Sequence, residues 1–188
     1  MPAGGTGLVL RGLRKEPATI GKWHLGWDLT YKEGKAKTVD NIDFTKRVAN
    51  GPTDRGFDYF YGLTSPSGPP HLYMVNDMAE KQPNTRFEES GGGLYKIKGG
   101  IGHSDWSADG MQPHLADKML EYLDENKDSD KPFFLYMALT APHIPLFPSK
   151  EFKGKSKIGD YGDLVMMIDD IVGRVNRKLK EIGKYDNT

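Results

Sequence analysis

The pattern of hydrophobic positions predicts strands that alternate with helices. Residues 133–139 (Phe-Phe-Leu-Tyr-Met-Ala-Leu) are apolar without alternation, which predicts a strand buried on both faces. An apolar stripe at helical spacing predicts a helix over 113–126, just before that strand. A second stripe predicts a long amphipathic helix over 161–182, which ends at Gly183. A helix, a short loop and a buried strand are typical of an α/β fold.

The rest of the chain gives weaker signals. A short strand is predicted near 18–23, adjacent in the same sheet to the buried strand, and alternation at 71–76 predicts another. Residues 6–15 are weakly helical. Residues 27–70 contain many Gly, Pro, Asn and Asp residues, and residues 80–102 are polar and glycine-rich. Both compositions predict loops.

Composition excludes several classes of protein. The chain has 188 residues, enough for one domain, with 26 basic and 26 acidic side chains. This zero net charge argues against nucleic acid or an anionic membrane as partner. Cysteine is absent, which excludes disulfides and thiolate metal sites. No apolar run approaches the roughly twenty residues that span a bilayer, and residues 1–10 have no signal-peptide pattern.

The first candidate for chemistry is the segment Gly-Lys-Trp-His-Leu-Gly at 21–26. In an extended chain, alternation places Lys22 and His24 on one face, and Trp23 and Leu25 on the other face for burial. Lysine is a compact charge for an anionic oxygen, and histidine can donate to the same anion or move a proton near neutral pH. The pair therefore suits a sulfate or phosphate ester, whose charge must be neutralised during transfer.

The second candidate is His143, in the segment Thr-Ala-Pro-His-Ile-Pro-Leu that follows the strand predicted at 133–139. Active-site residues of open α/β sheets favour loops just past the carboxyl ends of strands. Pro142 and Pro145 restrict the backbone around the imidazole. By itself, the segment is equally consistent with a proline-rich surface turn that contains an incidental histidine.

Four segments together resemble the type I sulfatases. Residues 21–26 are similar to the second signature of that family, Gly-Lys-Trp-His-Leu-Gly, and 142–145 are similar to its Pro-His-x-Pro. Residues 55–62 resemble the aromatic segment Gly-Phe-Asp-x-Phe-x-Gly, which packs against the sheet. The helix at 161–182 resembles the helix Tyr-x-x-x-Val-x-x-x-Asp-x-x-Val-Gly of the family. The match runs from about residue 18 to the end, in the same order.

The resemblance implies a fold and a domain. We expect an α/β fold of the alkaline-phosphatase-like or sulfatase type, with a central mostly parallel sheet flanked by helices and incomplete at both ends. Residues 1–188 would be a fragment of the single large N-terminal catalytic domain, with an atypical start at 1–17. Asp186-Asn187 resembles the turn before the next strand of the family, so it is not assigned to metal.

The resemblance also implies a reaction. The complete enzyme would hydrolyse aryl or carbohydrate sulfates through formylglycine, made from Cys or Ser in Cys-x-Pro-Ser-Arg, and would use Ca²⁺ held by oxygen ligands. That motif and the metal ligands are outside this chain. We therefore expect the chain alone to be inactive, with no metal-binding residue of its own.

Three residues match catalytic positions of the family. The resemblance implies that Lys22 neutralises the ester and the region of the nucleophile, that His24 hydrogen-bonds the formylglycine hydroxyl, and that His143 assists at the leaving oxygen. Lys22 and His143 would also bind the substrate, a sulfated small molecule or glycan. The family implies a periplasmic, secreted or lysosomal location.

Two other functions stay open at this point. A related phosphate-ester hydrolase of the alkaline phosphatase superfamily would need a Ser or Thr nucleophile and usually two transition metals. An inactive remnant would at most bind sulfated glycans. The remaining histidines, His71, His103 and His114, show no zinc spacing, and the adjacent carboxylates of 169–170 diverge by about 100° on a helix, so neither group predicts a metal site.

Overall fold

Two α-helices and seven short strands form the part of the chain that the computed structural model describes, residues 16–188. The strands are β1 (Glu16–Lys22), β2 (Tyr59–Leu63), β3 (Met74–Val75), β4 (Met78–Ala79), β5 (Thr85–Phe87), β6 (Gly100–Gly102) and β7 (Phe133–Ala138), and the helices are α1 (Met111–Glu125) and α2 (Asp160–Glu181). Both predicted helices are thus confirmed to within two residues. The helix predicted at 6–15 lies outside the described residues.

The central sheet has the strand order β4-β3-β2-β1-β7. Strand β1 is parallel to both β2 and β7, and Gly21 at its end pairs with Gly62 and with Ala138. Strands β3 and β4 extend the sheet in antiparallel fashion, and β5 and β6 form a separate ribbon. The predicted adjacency of the strands near 18–23 and 133–139 is confirmed.

One face of the sheet packs against both helices. Periodicity explains this packing, since the apolar side chains of each helix recur on a single stripe. The buried core consists of side chains from β1 and β2 and from the two helix stripes: Ala18, Ile20, Tyr61, Leu63, Leu115, Met119, Leu123, Leu164, Met167, Ile171 and Val175. This layer supports the two parallel strands whose carboxyl ends carry the candidate site.

A second hydrophobic cluster covers the opposite face at β2, at β3 and at Trp23, the residue after β1. Much of it comes from the loops of 27–70, which bring Ile42, Phe44 and Val48 onto Phe60 of β2. The predicted packing of aromatic residues within 55–62 is therefore confirmed, although part of that segment is itself a strand. The loops thereby cover part of the sheet face opposite the helices.

Two predicted strands differ in the structure. Strand β7 is not buried on both faces, because Phe134 and Tyr136 are 38% and 52% exposed. They lie on the side opposite the helices, where the second cluster does not extend to β7. Of the strand predicted at 71–76, only Met74–Val75 forms, since His71 instead makes an isolated bridge to Gly102.

His71 is buried at 1% exposure, between the rings of Phe87 and Trp106. Its Nε2 lies 2.7 Å from the carbonyl oxygen of Lys98 and donates to it. Burial lowers the pKa of the His71 imidazole below the ordinary histidine value, and the Lys98 carbonyl offsets part of that effect. The unfolded chain therefore takes up this proton at a higher pH than the folded chain.

This shift predicts that the folded state loses stability as the pH falls below the unfolded-state pKa of about 6.5. His71→Gln retains a donor for the Lys98 carbonyl but removes the titration. Its unfolding free energy should fall less steeply with acidification, by at most about 1.4 kcal/mol per pH unit. Urea titrations at a series of pH values measure this slope. The exposed His24→Gln is the control, and an unchanged slope in His71→Gln would contradict the prediction.

Candidate functional site

Lys22 is the last residue of β1 and lies at the carboxyl edge of the parallel strands. Its register partner is Leu63 at the end of β2, so the two side chains share the sheet face that packs against the helices. Lys22 is half-buried, and it has no ion-pair or hydrogen-bond partner among residues 16–188. The ammonium group of Lys22 therefore has no counter-ion among these described residues and is available to an anion at this edge.

Trp23 lies on the opposite face, as alternation predicts. It is 7% exposed and belongs to the second hydrophobic cluster. Its Nε1 donates to the carbonyl oxygen of Gly26 at 3.1 Å and so closes a turn directly after the strand. The predicted burial of Leu25 is wrong, since Leu25 is 77% exposed. The strand ends at Lys22, so alternation does not extend to Leu25, and His24 is exposed in the same turn.

His143 lies in a turn that follows β7. The carbonyl oxygen of Thr140 accepts a hydrogen bond from the backbone N–H of His143 at 3.1 Å. The Nδ1 atom of His143 lies 2.5 Å from the carbonyl oxygen of Ile144. A carbonyl only accepts, so this contact requires the hydrogen on Nδ1. The Nε2 atom then bears the lone pair in the neutral ring and is a donor in the protonated ring.

The register places both candidate segments at the same edge of the sheet. Gly21 pairs with Ala138 on neighbouring parallel strands, so Lys22 and the turn of 140–143 both follow the carboxyl ends of β1 and β7. Open α/β sheets bind their ligands at this edge. The arrangement places a cation at the end of β1 and an exposed imidazole in the turn after β7, two groups that can assist the transfer of an anionic ester.

No three or more His, Cys, Asp or Glu side chains within residues 16–188 lie close enough together to hold a metal ion. Asp170 pairs with Arg177 at 3.6 Å, and Asp186 lies in an exposed turn. His103 contacts Asp105 at 3.5 Å. These residues do not fit the Ca²⁺ that the resemblance implies, so we assign the described part of the chain no step through that ion.

The structure also shows a polar cluster around the buried Tyr61 for which the sequence contained no signal. Tyr61 donates to a carboxylate oxygen of Glu80 at 2.7 Å, and its oxygen lies 2.6 Å from Nε2 of His114. Burial, followed by the neighbouring Glu80, raises the pKa of Tyr61 above its usual range, and burial lowers the pKa of His114. Tyr61 therefore stays protonated. Its hydroxyl links β2 to His114 of α1 and to Glu80, the residue after β4.

Gln112 and Thr140 form a buried pair that links the start of α1 to the His143 turn. The side-chain amide of Gln112 donates to the hydroxyl of Thr140. One sequence signal could have revealed it: Gln112 stands three residues before Leu115 and continues the apolar stripe of α1. A polar residue at a core position of a helix calls for a specific partner.

Comparisons with known proteins agree on one family. Residues 9–188 match the family model described as Sulfatase. The N-acetylgalactosamine-6-sulfatase of Sus scrofa is 30% identical over 184 residues, which cover 96% of this chain and 30% of that protein. The N-acetylgalactosamine-6-O-sulfatase of Bacteroides thetaiotaomicron is 26% identical and is matched over 90% of this chain and 38% of its own length. The chain thus spans about a third of the length of these relatives.

Solved structures show the same fold. A structure from the glycosaminoglycan metabolism of Bacteroides thetaiotaomicron superposes with a TM-score of 0.74 at 21% identity, over 97% of this chain and 43% of its own. The central sheet flanked by helices is therefore the alkaline-phosphatase-like fold of the sulfatases. Within residues 16–188, no helix combines the length and the apolar character needed to cross a membrane.

Proposed function

This chain belongs to the sulfatase family, and from that premise we propose that the whole protein hydrolyses the sulfate esters of glycans. The observation that carries the proposal is the placement of Lys22, without a counter-ion in residues 16–188, beside the His143 turn at the carboxyl edge of the sheet. Because the chain spans about a third of its relatives, this activity is a property of the whole protein.

The family resemblance implies a role for each matching residue, and the chemistry of each side chain suits that role. Lys22 places a positive charge beside the sulfuryl group, whose oxygens remain anionic throughout the transfer. His143 carries a hydrogen on Nδ1, so its protonated ring can donate from Nε2 to the leaving alkoxide oxygen. His24, exposed in the turn after β1, would hydrogen-bond the hydroxyl of the nucleophile.

The nucleophile and the metal belong to the rest of the proposed enzyme. Formylglycine and Ca²⁺ are implied by the family resemblance, and residues 16–188 contain neither a cysteine nor a cluster of metal ligands. When bound, Ca²⁺ would orient and neutralise the anionic ester. Lys22 and His143 would bind the anionic ester, and His143 would supply a proton.

The relatives suggest a substrate and a location. Two of them are named for N-acetylgalactosamine 6-sulfate, so we propose a sulfated glycan with that residue as the first substrate to test. The zero net charge argues against nucleic acid or an anionic membrane surface as partner, so the proposed recognition of a sulfate depends on local side chains such as Lys22. A lysosomal, periplasmic or secreted location would give access to such glycans.

The proposal predicts activity for the complete protein and none for the 188-residue chain alone. Residues that act as a unit lose their effect together, so a chain without the nucleophile should not turn over. The assay compares release of sulfate from N-acetylgalactosamine 6-sulfate and from an aryl sulfate with release of phosphate from the matching aryl phosphate.

One outcome would overturn the proposal: hydrolysis of the aryl phosphate but of neither sulfate ester, together with an upstream reading frame that encodes a Ser or Thr nucleophile in place of Cys-x-Pro-Ser-Arg. Hydrolysis of the aryl sulfate by the isolated 188-residue chain, abolished by His143→Ala, would contradict the prediction that the chain alone is inactive.

A further inference from the structure

Gln112 and Thr140 are buried polar residues beside the turn that carries His143. Their exposed fractions are 2% and 5%. The amide nitrogen of Gln112 donates to the Thr140 hydroxyl oxygen, and that hydroxyl lies 3.9 Å from the sulfur of Met111, to which it donates. The Thr140 hydroxyl therefore accepts from Gln112 and donates to Met111, and both partners lie in the first turn of α1.

The backbone of Thr140 connects this pair to His143. Its carbonyl oxygen accepts the N–H of His143 at 3.1 Å and closes the turn. Within that turn, Nδ1 of His143 reaches the carbonyl oxygen of Ile144 at 2.5 Å. A change at the Thr140 side chain would thus alter the backbone that sets the position of the imidazole.

Gln112 places in the core a polar atom that is unpaired within the described residues. Its Oε1 atom is buried and has no hydrogen-bond partner within residues 16–188. A buried acceptor left unpaired costs about 1–3 kcal/mol. An apolar side chain of similar size would continue the stripe of Leu115 and Ala116 without that penalty. Packing alone therefore does not account for a glutamine at this position, whereas its bond to Thr140 does.

We propose that Gln112 and Thr140 are positioning residues for His143. They hold the turn in the geometry that keeps the hydrogen on Nδ1 and leaves Nε2 as the working nitrogen. The proposal rests on the proposed function only for the use of Nε2, which is to donate a proton to the leaving oxygen. The tautomer itself is a property of this chain and can be measured without catalysis.

Nitrogen-15 NMR of the 188-residue chain reads the tautomer of each histidine. At about pH 8.5, two units above the ordinary histidine pKa, the rings are neutral. We expect His143 to be predominantly the Nδ1–H form. His24 is exposed and has no hydrogen-bond partner within residues 16–188, so it provides the reference for an unrestrained ring.

The decisive variant replaces both partners by apolar residues, Gln112→Leu with Thr140→Val. The tautomer ratio of His143 should shift to that of His24, while the melting temperature stays unchanged or rises, because no unpaired polar atom is left. Thr140→Ser keeps the hydroxyl and should keep the Nδ1–H form. In the complete enzyme, the double variant should lower kcat and alter its pH profile with little change in KM.

An unchanged His143 tautomer in the double variant would overturn the proposal, and so would a wild-type ring with the ratio of His24. If the double variant does not fold, the single variant Thr140→Val provides the test. Loss of the Nδ1–H form of His143 supports the positioning role, and retention of that form refutes the role. Absence of sulfatase activity in the complete protein would refute the proposed function and leave the NMR result untouched.

Discussion

Replacing Lys22 by alanine in a complete sulfatase that contains this segment should lower turnover by roughly 10²–10³, the loss typical of one preorganised charged group. Lys22 shares the sheet face of Leu63 and has no counter-ion among residues 16–188. Its removal leaves the sulfuryl oxygens without that positive charge in the transition state. The loss should therefore appear in kcat, with a smaller change in the melting temperature.

Trp23→Phe is the matched control on the adjacent residue. Trp23 packs into the cluster on the opposite face of the sheet, so a smaller aromatic ring there should act mainly on stability. The vacated volume and the lost Nε1 bond to the Gly26 carbonyl should together cost about 1–3 kcal/mol. The measurement grafts residues 16–26 into a full-length sulfatase and compares turnover and melting temperature for both variants. Equal losses of turnover in the two variants would show that the residues for catalysis and the residues for packing do not lie on opposite faces of the sheet.

Gly21→Ala should be the most destabilising single change in the segment. A Cβ at this position would lie 1.9 Å from the carbonyl oxygen of Ala138, and the backbone φ is +134°. Backbone strain at such a φ and forced overpacking together should cost about 3–5 kcal/mol. That is a large part of the stability of an ordinary domain, about 5–15 kcal/mol.

Gly92→Ala provides the comparison for Gly21→Ala. Gly92 has an extended φ of −163°, and its added Cβ would have no neighbour within 4 Å. Its replacement should leave stability unchanged or raise it by about 0.4–1 kcal/mol, through a smaller unfolded-state entropy. Urea denaturation of both variants tests the pair. A Gly21→Ala chain as stable as Gly92→Ala would mean that β1 and β7 do not approach as closely as their register indicates.

The sequence alone was sufficient for the elements with a strong period and for the family. The stripes of α1 and α2 recur every three or four residues, and both helices lie where periodicity predicted them. The segments at 21–26 and 142–145 carried the resemblance that the family match confirms. Local patterns succeed here because each signal is contained within a few consecutive residues.

Tertiary structure decided the points at which distant segments meet. Alternation predicted a buried Leu25, but the bond from Trp23 Nε1 to the Gly26 carbonyl turns the chain there and leaves Leu25 exposed. Residues 133–139 were uniformly apolar, yet one side of β7 is exposed because the cluster that the loops of 27–70 form does not extend to this edge strand.

The bond between Gln112 and Thr140 joins residues 28 positions apart, and no spacing rule relates them. Such a contact depends on how α1 packs against the carboxyl edge of the sheet. The sequence therefore determined which residues have the chemistry to act on an anionic ester. The packing determined which side chains hold them in place, because hydrogen-bond partners are selected by proximity in space and not along the chain.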